Sequence, residues 1–140
     1  MVNPLKHFIL RGWGGSSNMM IKTSVFNTIG GCDANVFVQD YSIPLRVSGN
    51  HLKLNSNKKF SIGISDKLVC IGPKFVSERI MSNDGQTIYD LSIATLNFLD
   101  EHKFLDYKTK RIALRKIISR CWTWSRRKNN KNYFSNEFII

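Results

Sequence analysis

Asp40 is the residue whose type and place best suit chemistry. It follows a short apolar run, Val36-Phe37-Val38, and sits in the segment QDYSIPLR at residues 39–46. Asp is a good helix N-cap, and Pro44 is tolerated only near a helix start, where backbone N–H groups lack partners anyway. A carboxylate mounted there has a fixed backbone and is kept ionised by the helix dipole. It can tie off the helix or accept a proton. Upstream, Gly14-Gly15-Ser16-Ser17-Asn18 is a small-residue loop whose backbone N–H groups can face a diphosphate or a sugar. Trp13 beside it offers a ring that can stack on a sugar face or pack in a core. Arg46, six residues past Asp40, can meet a phosphate or be solvated and ion-paired.

The elements that must hold these residues are short. Residues 19–22 read as a strand after the loop. A short helix follows through Val25, Phe26 and Ile29, with Thr23 or Ser24 as its cap, and Gly30-Gly31 ends it. Asp33 and Asn35 are turn residues. A helix then starts near Asp40. Residues 51–55 and 67–71 read as strands joined by the polar turn NSNKKFS. Thr87 to Asp90 has the shape of a capping box, with a helix over 88–100. The last helix spans 107–127, where Leu114, Ile117, Ile118, Cys121 and Trp122 fall at helical spacing as one apolar stripe. The spacing predicts three regions: 1–75 with the candidate chemistry, a helical region at 76–128 and a tail at 129–140.

Composition narrows the class. The chain has 140 residues, 42% of them apolar, which allows a packed core and excludes wholesale disorder. Lys and Arg number 21 against 10 acids, a net charge of +11, which implies anionic neighbours. Between Lys103 and Lys131 there are 11 cations and one acid. Cysteines stand at 32, 70 and 121, an odd number without metal-ligand spacing, as expected of reduced thiols in the cytoplasm. His7, His51 and His102 are scattered, so no metal site is expected. Residues 1–10, interrupted by Pro4, Lys6 and His7, do not read as a leader, and no apolar run is long enough to span a membrane.

In order, Gly14, Gly15, Gly30, Gly31, Asp33, Phe37, Gln39, Asp40, Leu45 and Arg46 form a pattern. It resembles the acceptor-side half of family 2 glycosyltransferases, over about residues 14–47. The resemblance implies an α/β fold: a partial GT-A-like, Rossmann-like sheet remnant with C-terminal helices. It implies inverting transfer of a sugar from a nucleotide-sugar donor to an acceptor hydroxyl, with Asp40 as the catalytic base. Gln39 stands where many members have Glu, so it orients rather than titrates. Gly15, Ser16, Ser17, Asn18, Asp33, Gln39 and Arg46 then become substrate-binding candidates.

Intact relatives implied by this resemblance carry a DxD pair that binds Mg or Mn on the donor diphosphate. No DxD occurs here; Asp33-Ala34-Asn35 is the nearest approach. The expectation is therefore a fragment without a donor site, inactive alone, with a nucleotide sugar and a sugar or lipid-linked acceptor as partners of the whole. An alternative is a small basic protein that binds nucleic acid or an anionic membrane surface. No helix-turn-helix, zinc finger or RNA-binding sheet motif supports the nucleic-acid version. Localisation is expected to be cytoplasmic, at most peripheral at the inner membrane face through the tryptophan-bearing basic helix.

Overall fold

The computed structural model describes residues 3–12, 19–53, 56, 58–65, 67 and 84–128. Among them all regular structure is helical: α1 (Pro4–Arg11), α2 (Thr23–Thr28), α3 (Gln39–Gly49), a single 3-10 turn at Asn50–Leu52, α4 (Asp84–Glu101) and α5 (Tyr107–Lys128).

The expected α/β architecture is thereby corrected, because no strand occurs among the described residues. Residues 19–22 and 36–38 are irregular chain, and His51 and Leu52 belong to the 3-10 turn. Lys67 sits in a bend; Leu54, Asn55 and residues 68–71 of the proposed strands lie outside the described residues. Short apolar runs have no periodicity that separates a strand from a buried loop. A strand also needs neighbours to satisfy its backbone, and none is present among the described residues. Met19 and Ile21 instead lay their side chains on a small cluster formed by Ile29, Ile43 and Val47.

Pro4 starts α1 rather than breaking the N-terminal segment. Proline suits the first helical turn, where its missing N–H is not needed. Asn3 caps the helix, its Oδ1 accepting the Lys6 N–H at 2.9 Å. Phe8 and Ile9 are thus delivered to the core without exposure. The N-cap of α2 is Lys22, which makes no side-chain capping bond, so neither Thr23 nor Ser24 has that role. Gly30 and Gly31 end the helix as their sequence indicates, with φ of 85° and 72°. The Gly31 N–H returns to the Phe26 carbonyl at 2.9 Å, and only glycine enters this left-handed region without strain.

The molecule is organised round α3. Every residue from Tyr41 to Asn50 is buried, so this helix has no wet face beyond its first turn. Helix α1 packs on α3 and α5, and α4 packs between α3 and α5. The main core joins Phe8 and Ile9 of α1, Tyr41 and Leu45 of α3, Ala94 and Phe98 of α4, and Ala113 of α5. Pro44 lies inside α3 and removes one ladder bond, so the carbonyl one turn before it has no helical amide. Helix α4 begins at Asp84, so the supposed capping box at Thr87 is helix interior.

Helix α5 has the expected length but a different inward face. Ala113 is buried and Ile112 packs against the core. Leu114 and Ile118, expected in the core stripe, are 46% and 59% exposed. The stripe read from spacing is real as a pattern, but α5 turns it partly to water.

Candidate functional site

The mouth of α3 is where the sequence concentrates its candidates. The N-cap is Val38, and Asp40 is the second residue of the helix, so it is not the cap itself. Its carboxyl is half-buried. Burial raises its pKa above the ordinary carboxylate range, against the pull of the backbone N–H groups of Asp40 and Tyr41. The sequence had suggested a group kept ionised by the dipole; desolvation outweighs that effect. The result is a carboxylate that takes a proton more readily than one in water.

Gln39 acts as a staple. Its Oε1 accepts the Asp33 N–H at 2.9 Å, and its Nε2 donates to the carbonyls of Asp33 at 2.7 Å and Val36 at 2.5 Å. A side-chain amide holds both a donor and an acceptor, so it can close this loop from both sides, which Glu could not. Gln39 therefore orients the chain leading into Asp40.

Asp33 is occupied as well. Its Oδ1 accepts the Asn35 N–H at 2.9 Å, and its Oδ2 accepts from Asn97 Nδ2 at 3.3 Å. This is an Asx turn pinned to α4. With both oxygens engaged by N–H donors, Asp33-Ala34-Asn35 does not fit the role of a metal-binding carboxylate pair. No group of three or more metal-ligating residues occurs among the described residues.

Arg46 is buried. Its Nη2 donates to the carbonyls of Ile29, at 3.0 Å, and of Gly31, closing the glycine turn that ends α2. Residues 40 and 46 point about 120° apart round a helix of 100° per residue, so Asp40 and Arg46 face different sides of α3. An open cleft of about 610 Å³ lies on the Arg46 side, lined by Thr28, Gly30, Asp33, Asn50, Lys53 and Glu101 among others. Asp40 does not line it. Gly15, Ser16, Ser17 and Asn18, with Trp13, lie outside the described residues.

Two polar clusters were invisible to sequence reading. In the first, Tyr41, adjacent to Asp40, meets Thr95 and Arg120. The Thr95 hydroxyl donates to the Leu91 carbonyl at 2.7 Å, so the Tyr41 hydroxyl donates to Thr95 Oγ1 at 2.9 Å. Arg120 Nη1 approaches both oxygens at 3.3 Å, and the guanidinium stands 4.8 Å over the Tyr41 ring. This cluster locks the first turn of α3 to α4 and α5. Its members are tens of residues apart, and no local signal marks them.

The second cluster surrounds His102. Its Nδ1 donates to the Phe98 carbonyl at 2.7 Å, and the ring stacks on Phe98 with centroids 3.9 Å apart. Nε2 is buried and without a hydrogen-bond partner. Burial, against the raising effect of the Phe98 carbonyl and aided by Lys53, lowers the His102 pKa to about 4. A depressed histidine stabilises the fold fully above its unfolded pKa near 6.5, and that contribution is lost as pH falls through about 4. Unfolding free energies from urea denaturation are therefore expected to fall across this window, by up to about 1.4 kcal/mol per pH unit. His102→Gln should flatten that dependence.

No helix among the described residues is long and apolar enough to cross a membrane. No protein-family model matches the chain, and no curated protein or solved structure matches it.

Proposed function

We propose that this chain supplies the acceptor side of an inverting sugar transfer from a nucleotide sugar, with Asp40 as general base. The acceptor hydroxyl oxygen forms a bond to the anomeric carbon. The bond from that carbon to the donor phosphate breaks, and the nucleoside diphosphate leaves with the electron pair. The hydroxyl proton passes to the Asp40 carboxylate. One observation carries this reading: within the ordered residue set from Gly30 to Arg46, Asp40 is a half-buried carboxyl of raised pKa on a stapled helix start. A general base works best when its pKa approaches the working pH, and desolvation moves Asp40 in that direction.

The reading rests on the mouth of α3 and requires no sheet. It assigns Gln39, Asp33 and Arg46 to holding the loop and the glycine turn rather than to touching substrate. The donor diphosphate and its divalent cation need a DxD pair, which these 140 residues do not contain, so the donor site lies outside them, in a longer chain or a separate subunit.

Titration of the full chain with a panel of simple glycosides, followed by 15N and carboxyl 13C NMR, tests the acceptor assignment. One class of sugar should shift the amides of Gln39, Asp40 and Tyr41 and move the Asp40 titration. A panel that leaves all of these unmoved would remove Asp40 from an acceptor site.

A further inference from the structure

The outward face of α5 carries a combination that neither a core nor a plain solvated surface needs. Tyr107, Arg111, Leu114 and Ile118 fall at i, i+4, i+7 and i+11, along one side of the helix. Tyr107 is 78% exposed, and Leu114 and Ile118 present most of an aliphatic ridge beside it. Phe104, in the turn before the helix, is exposed too. Lys108 and Arg115 border the ridge, both exposed. From Tyr107 to Lys128 there are nine Lys and Arg and no acid. The positive field extends across the helix: Lys116 is held below its ordinary pKa by burial and by the nearby Arg120 and Arg11.

We propose that this face docks the protein on an anionic phospholipid bilayer. Charge complementarity selects the surface, because a helix without a carboxylate meets no repulsion from lipid phosphates. The ridge selects lipid over nucleic acid. A duplex backbone engages cations but offers no place for Leu114 and Ile118, whereas the headgroup boundary takes both. The aliphatic side chains and the Tyr107 ring enter the acyl edge, while Lys108, Arg111 and Arg115 extend their charged ends to the phosphates. The surface stands apart from the transfer chemistry and holds whether or not Asp40 is a base.

Co-sedimentation of the full chain with vesicles of one-third phosphatidylglycerol and two-thirds phosphatidylcholine tests this. Binding is expected, with little to pure phosphatidylcholine and release at high salt. Leu114→Asp with Ile118→Asp should weaken it by roughly tenfold or more, since both lose their place at the acyl edge. Arg111→Glu with Arg115→Glu should do the same through charge. All four sites are exposed, so circular dichroism and melting should match the parent. No binding to the anionic vesicles would overturn the proposal, as would binding that ignores the Leu114 and Ile118 changes. So would a self-associated chain that the same double substitution separates and that ignores vesicles. A gel shift on duplex DNA with tighter binding than to vesicles, unaffected by Leu114→Asp and Ile118→Asp, would assign the helix to nucleic acid instead.

Discussion

If Asp40 is the proposed general base, Asp40→Asn should cut sugar transfer by about 10³-fold once a donor site is supplied, the middle of the range for a lost general base. The substitution keeps the shape of the side chain and can still accept from the backbone N–H groups that Asp40 engages. It removes only the basicity. If turnover depends on proton removal from the acceptor, kcat and kcat/KM should fall together. The acidic limb of the pH profile should vanish with them, and in the parent that limb should lie above the usual carboxylate range.

Stability supplies an independent readout of the same residue. A carboxyl whose folded pKa is raised stabilises the fold below its unfolded pKa, and that contribution is lost as pH rises through the folded value. At neutral pH the ionised Asp40 is therefore a net cost. Asn is expected to melt at or above the parent temperature while activity collapses. Unchanged turnover in a well-folded variant would make Asp40 a structural residue. A melting temperature that drops sharply would show that the carboxylate is needed by the fold.

Gly49→Ala should be strongly destabilising, since among the described glycines only Gly49 would place a Cβ closer than 3.0 Å to a neighbour. A Cβ at Gly49 would lie 2.4 Å from Phe98 Cε2 and 2.5 Å from Phe98 Cζ. The Phe98 ring is 1% exposed and is backed by its stack on His102, so it has little room to retreat. Alanine would gain about 1 kcal/mol of helix propensity over glycine. Overpacking a closed core costs typically 1–3 kcal/mol and can exceed that, and at this distance the high end applies. A net loss of about 2 kcal/mol or more is expected in urea denaturation. Pairing the change with Phe98→Leu should recover part of it, since the two sites share one space. Parental stability in Gly49→Ala would mean that α3 and α4 do not meet as described.

These two residues show how far the sequence could be read. Asp40 was visible because local rules, a charged residue and a tolerated proline near a helix start, mark the mouth of α3. Gly49 was silent, because what makes it necessary is an aromatic ring 49 positions later in the chain. Gln39 lay between: its lack of charge pointed to orientation, but the Asp33 and Val36 groups it binds came only from the folded loop.

Local chemistry by itself determined the limits of α5 to within a residue, the glycine turn after α2 and the helix that starts beside Asp40. Those features depend on contacts within a few residues, which the order of amino acids contains directly. Tertiary structure alone decided that residues 19–22 and 36–38 are irregular chain and not strands, and that His51 and Leu52 form part of a 3-10 turn. It also decided that Arg120 reaches Tyr41, and that Leu114 and Ile118 face outward. A strand exists only with a neighbour, and a helix with apolar residues on several sides acquires an inside only when other helices close on one of them.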